Sequence, residues 1–113
     1  MTSTGCFKVA VNIPEEFAEQ LMDAVNGAME PLHPGYDRVF FRMRVLGTWR
    51  PLEGSSPYLG RIGEVRTAEE TRIEFAVRGE DMREVMAAVR RVHPYEEPAV
   101  DVIPMRSWKE FLH

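Results

Sequence analysis

The sequence predicts an α+β fold of element order βαββαβ, in which one four-stranded antiparallel sheet of spatial order 4-1-3-2 carries both helices on one face. Three observations predict it: four stretches where apolar and polar residues alternate, two helical stripes bounded by prolines, and a length of 113 residues, which holds one core. Right-handed crossovers and a single buried sheet face leave this as the simplest arrangement, a ferredoxin-like sandwich. One domain covers residues 1–113, with a core over 6–104 and a tail over 105–113.

Residues 6–13 alternate, with Phe7, Val9, Val11 and Ile13 on one face and Cys6, Lys8, Ala10 and Asn12 on the other, the pattern of a half-buried first strand. Pro14 opens a helix, since its fixed φ suits the first turn and Glu15 and Glu16 favour the positive end of the helix dipole. Phe17, Leu21, Ala24, Val25 and Ala28 keep helical spacing until Pro31, which predicts a helix over 15–29. Residues 38–46 alternate again, a second strand with Val39, Phe41, Met43 and Val45 inward. A third strand is clearest over 71–78, where Ile73, Phe75 and Val77 point inward. Residues 61–67 extend it beyond a bulge or bend near 68–70, where Glu69 and Glu70 read as a solvated kink. Asp81 and Glu84 have capping-box spacing, and Met82, Val85, Met86, Val89 and Val92 form the stripe of a second helix that Pro94 stops. Residues 98–104 make a short last strand between prolines, which suits a sheet edge. The tail adds a helical turn whose Trp108 and Phe111 need cover.

Hydrophobic residues at 44% and charged residues at 28% exclude a disordered chain. A net charge of −4 argues against nucleic acid as the main partner. No uncharged stretch approaches the ~20 residues that span a bilayer. The first five residues lack the basic-then-apolar layout of a leader, so a cytoplasmic location without membrane contact is expected. The single cysteine, Cys6, excludes an internal disulfide and reads as a packing residue, because nothing fixes a histidine beside it.

Two connections carry more specialised residues than a turn requires. The first is GTWRPLEGSSPYLG, residues 47–60, where a hairpin usually needs about two to five residues. The second is HPYEEP, residues 93–98, which sets an imidazole, a phenol and two carboxylates between rigid prolines.

Together, GTWRPLEGSSPYLG and HPYEEPAVDVIP resemble the YqfO-type domain, a CutA/PII-like module that occurs alone or inserted in larger dinuclear-metal proteins related to NGG-interacting factor. The resemblance runs from about residue 7 to 104. It implies a homotrimer resembling CutA and PII proteins, with the long hairpin reaching over a neighbour, and it defines no activity. The metal centre of the larger proteins lies in flanking halves that the resemblance does not include, so neither that centre nor a hydrolase label carries over.

The topology puts both specialised segments at one end of the sandwich. Strands two and four are nevertheless opposite edges, roughly 14 Å apart, which disfavours a site within one chain unless the loop folds back. A cyclic trimer would bring Trp49, Arg50 and Tyr58 beside His93, Tyr95, Glu96 and Glu97 of an adjacent subunit, a ligand or intersubunit cleft, and would cover both open edges. Pro51 holds Arg50 extended, ready to pair with Glu96 or Glu97 or to meet an anion.

A metal ion would draw on His93 and Glu97, with His33 as third donor, but the topology puts His33 at the other end of the protomer. Neighbouring strand residues face opposite ways, so only one of Glu96 and Glu97 could serve. The glycines of 47–63 lack the lysine and the following helix of a phosphate loop. Lys8, Arg42, Arg44, Arg72 and Arg78 fall on the open sheet face with only Phe40 as an aromatic in phase, too few for stacking RNA bases. In a trimer that face turns inward.

The expectation is a non-enzymatic, self-associating module without a cofactor, binding a small anion, a metal ion or another protein in its subunit clefts. The alternative is a metal-binding protein or small metal-dependent enzyme using HPYEEP. His93 with Glu96 or Glu97 offers an acid-base pair, but no nucleophile or activated water accompanies it.

Overall fold

In the computed structural model, β1 (Cys6–Ile13) leads through a 3-10 turn (Glu15–Phe17) into α1 (Ala18–Asn26), followed by the hairpin of β2 (Phe41–Trp49) and β3 (Arg66–Arg78). A second 3-10 turn (Gly79–Asp81) opens α2 (Met82–Val92), then come β4 (Val100–Met105) and a last 3-10 turn (Trp108–Phe111). The structure describes residues 5–112; the first four residues, which bear on a leader, and His113 of the tail lie outside them. All pairings are antiparallel and the sheet order is β2-β3-β1-β4, the expected 4-1-3-2. Val9, Val11, Ile13, Ile73, Phe75 and Val77 meet Leu21, Val25, Val85 and Val89 of the helices in one buried cluster.

α1 stops at Asn26, short of the predicted residue 29, because the Asn26 side chain ties the helix end to the following connection. Its Nδ2 donates to Asp37 at 3.1 Å and its Oδ1 accepts the Arg38 N–H at 2.9 Å. The Asp81–Glu84 capping box does not form. The Asp81 carboxylate instead accepts the Glu30 backbone N–H at 3.1 Å, fastening the start of α2 to the end of the α1 region.

β3 is continuous, which corrects the expected bulge near 68–70. Arg66–Glu74 pair with β2 while Thr71–Arg78 pair with β1. The β2–β3 hairpin therefore runs on past the end of β1, whose last partner is Thr71. This overhang lengthens the molecule to 54 Å, and the radius of gyration of 15.8 Å exceeds the ~13 Å of a rounder chain of this length.

The phase of β2 is opposite to the sequence reading. Arg42 pairs with core-facing Ile73, whereas Phe41 pairs with Glu74 and Met43 with Arg72. Directly opposed residues share a sheet face, so Phe41, Met43 and Val45 lie on the open face and Arg42 and Arg44 on the helix face. Phe40 sets the phase by packing edge-on against Phe75, ring centroids 5.5 Å apart. Arg42 then reaches Glu15 at 2.6 Å and Glu19 at 3.5 Å along the flank of α1. The open face consequently exposes Phe41 (63%), Met43 (40%) and Ile103 (50%) around a network in which Arg72 meets Glu74, Asn12 and Asp101.

The tail forms its expected turn. Ser107 and Glu110 close a capping box, and Trp108 and Phe111 remain exposed on the protomer.

Candidate functional site

The end of β1, the end of α2, the start of β4 and the overhanging hairpin converge at one end of the sandwich. α2 ends at His93, whose backbone is already extended because Pro94 follows. His93 is 7% exposed, and both ring nitrogens are engaged. The Asn12 carbonyl can only accept, so Nε2–H donates to it at 2.7 Å. The Tyr95 backbone N–H can only donate, so Nδ1 accepts it at 3.2 Å. One neutral tautomer satisfies both bonds. Burial holds the imidazole below the ordinary histidine range, outweighing the upward pull of the Asn12 carbonyl and of Glu70.

Tyr95 follows in the turn and points under the hairpin, where its hydroxyl donates to Glu70 Oε2 at 2.8 Å. Burial pushes the phenol above the ordinary tyrosine range, and the adjoining Glu70 carboxylate adds to it, so Tyr95 stays protonated as a donor. Glu70 is 7% exposed. It is neither a kink nor solvated, which corrects the sequence reading. Gly47 makes room for it: a Cβ there would stand 2.6 Å from Glu70 Oε1.

The loop over 50–65 curls back over this turn instead of projecting away. Gly63 N–H bonds to the Pro51 carbonyl at 2.8 Å and the Trp49 indole N–H donates to the Leu59 carbonyl at 3.2 Å. Gly60 allows that closure with φ of 101°, and a Cβ there would crowd Pro51 at 3.4 Å and Trp49 Nε1 at 3.5 Å. At the far side of the loop, the Ser56 N–H donates to both oxygens of Glu96, at 2.9 and 3.1 Å. Aromatic rings fill the seam. Tyr95 lies 5.7 Å from Trp49 and 5.9 Å from Tyr58, and Tyr58 meets Phe17 edge-on at 6.2 Å.

Between loop and turn lies a cavity of about 460 Å³, within the range of small-molecule sites. Trp49, Tyr58 and Tyr95 form aromatic wall, with Pro51, Leu52 and Leu59 beside them. Arg50, Glu70, Glu96 and Glu97 supply its charged groups.

The structure therefore brings Trp49, Arg50, Tyr58, Tyr95, Glu96 and Glu97 to one cavity, with His93 buried just behind Tyr95 at a centroid distance of 5.0 Å. It does so within a single chain. The fold-back that a site within one chain requires is present: the separation between β2 and β4 is bridged by the overhang, which leaves the sheet edge and folds across its end. Arg50 makes no salt bridge among the described residues, and the Glu96 carboxylate is held by Ser56.

His33 pairs with Tyr36 in the α1–β2 connection and lines a separate small recess with Asn26 and Ala76, far from His93 along the sheet. Among the described residues no group of three or more His, Cys, Asp or Glu is placed to hold a metal ion. Both ring nitrogens of His93 are engaged, by the Asn12 carbonyl and the Tyr95 N–H, and His33 lies in the other recess. Cys6 lies opposite Arg78 and Met105, at the end of β1 away from the cavity. Glu70 is the site residue that sequence reasoning missed. Counting by twos from Glu74 and Arg72 puts it on the open face, but only the folded-back turn buries it. No helix among the described residues is long and apolar enough to cross a membrane.

No family model matches the chain. It is 32% identical over 111 residues, 98% of its length, to a protein of Halalkalibacterium halodurans named GTP cyclohydrolase 1 type 2 homolog, of which it covers 30%. A Bacillus cereus protein related to NIF3 superposes with a TM-score of 0.80 and 30% identity, covering 95% of this chain and 28% of that one. The periplasmic divalent cation tolerance protein CutA of Archaeoglobus fulgidus superposes at 0.69 with 21% identity, covering 95% of this chain and 91% of its own. Bacillus subtilis GlnK, solved as an ATP complex, superposes at 0.63 with 16% identity, covering 93% and 84%. The last two show the fold, which is that of CutA and GlnK. The first two bear out the YqfO-type resemblance, and the chain spans about 30% of the length of the curated relative it matches.

Proposed function

On the premise that this chain is a relative of one segment of the NIF3-related proteins, carried on a CutA/PII-like fold, we propose that it is a non-enzymatic binding module that works as a homotrimer. The observation that carries the reading is the closure of two remote segments around one cavity, held by the Ser56–Glu96 and Tyr95–Glu70 hydrogen bonds. Such a cavity suits retention of a small molecule. Its residues are poorly suited to chemistry: both nitrogens of His93 are engaged, Tyr95 is held as a donor, and Cys6 is remote. The relative's name is therefore no guide to an activity of this segment.

Self-association is supported by the corrected phase of β2. It places exposed Phe41, Met43 and Ile103 on the open sheet face, and β2 and β4 are both unpaired edges in the protomer. Native mass spectrometry with sedimentation, on the wild type and Phe41→Asp, tests the reading. A trimer that Phe41→Asp dissociates into folded monomers is expected. A wild-type monomer at micromolar concentration contradicts it.

A further inference from the structure

The charged groups around the cavity are mostly acidic, and its wall is aromatic. Three of its side-chain donors are engaged within the protein: the Trp49 indole N–H by the Leu59 carbonyl, the Tyr95 hydroxyl by Glu70, and the Ser55 hydroxyl by the Leu52 carbonyl at 2.7 Å. Acceptors remain. Glu97 lines the cavity without a salt bridge among the described residues, and Glu70 Oε1 faces the bare α-carbon of Gly47 at the wall. Three carboxylates stand against one guanidinium, that of Arg50.

We infer that the ligand of this cavity is an organic cation: a protonated amine attached to a flat apolar body. The inference rests on the reading of the cavity as a ligand site. The apolar body lies against Trp49, Tyr58 and Tyr95, whose ring faces attract positive charge. The ammonium group supplies the donors that Glu97 and Glu70 Oε1 lack, in charge-assisted hydrogen bonds. An anion of the same size meets a net negative wall, with Arg50 as its single cationic partner.

The probes are tryptamine, neutral indole, indole-3-acetate and ATP, titrated at pH 7 while the Trp49 indole N–H is followed by NMR in a Trp108→Phe background. Tryptamine is expected to shift the Trp49 signal with an affinity at least about tenfold above that of indole-3-acetate or ATP. Glu97→Gln, at an exposed position, is expected to weaken tryptamine by about fivefold and leave indole unchanged. Equal or tighter binding of indole, indole-3-acetate or ATP overturns the cation assignment while leaving the cavity as a ligand site. Tryptamine affinity unchanged in both Glu97→Gln and Glu70→Gln overturns it as well. If none of the four probes moves the Trp49 signal, the ligand-site reading itself fails.

Discussion

The Tyr95 hydroxyl donates to the buried carboxylate of Glu70 at 2.8 Å, joining the turn after α2 to the stretch of β3 that overhangs the sheet. By strand order β1 stands between β3 and β4, the strand that the turn leads into. The bond is what a fold-back of the hairpin makes available, and it supports the floor of the cavity.

Tyr95→Phe keeps the ring stack with Trp49 and Tyr58 and leaves the Glu70 carboxylate without its donor. A buried acceptor stripped of its partner costs about 1–3 kcal/mol. Urea unfolding of the variant is expected to show a loss of that size, and a change within error contradicts the role given to the bond.

Gly47→Ala puts a methyl group where Glu70 Oε1 lies, and Glu70 can yield only by moving away from Tyr95. The expected loss is about 1–2 kcal/mol, from weakening of the same hydrogen bond. Because both changes act on one interaction, Gly47→Ala with Tyr95→Phe is expected to destabilise by clearly less than the sum of the two. Additive effects by chemical denaturation speak against the coupling.

Much of this arrangement was legible in the sequence. Alternation in residues 6–13 and 71–78 set β1 and β3 in the correct phase, and both specialised segments lie where the topology put them. The phase of β2 was not legible, because the alternation favours Val39, Phe41, Met43 and Val45 inward, whereas in this edge strand Phe40 takes the core contact and Arg42 reaches along the flank of α1 instead. One slipped residue reverses every side chain. Only the packing of Phe40 on Phe75 decides it. Closure within one chain was hidden for a different reason. Strand order gives the distance between edges, whereas the curl of an overhanging hairpin depends on remote bonds such as Ser56 to Glu96. Burial of Glu70 follows from that curl, so its local sequence, beside Glu69, suggested solvent.

His93 makes stability depend on pH. Its folded value lies below the ordinary 6.5 because burial disfavours the charged ring. As pH falls below about 6.5, the unfolded chain takes up a proton that the folded chain refuses, so stability falls until the folded value is passed. Unfolding free energy measured from pH 7.5 downward is expected to drop in this window, ahead of carboxylate titration. In His93→Gln that drop is expected to flatten, and an unchanged slope contradicts the assignment.

Glu96→Ala removes the clasp on the Ser56 N–H at an exposed site. Global stability is expected to change by less than about 1 kcal/mol, as for a solvent-exposed hydrogen bond. The loop should loosen: amide exchange at Ser56 is expected to accelerate and trypsin to cut faster at Arg61. Unaltered exchange at Ser56 contradicts a closing role for Glu96.

The loop and the HPYEEP turn close on each other within one polypeptide. An isotope-filtered NOE experiment on a mixture of labelled and unlabelled protein tests it through the Tyr58 and Tyr95 rings, whose centroids lie 5.9 Å apart. Cross-peaks between these rings are expected in uniformly labelled protein and are expected to vanish under the intermolecular filter. Cross-peaks that survive the filter would contradict closure within one chain.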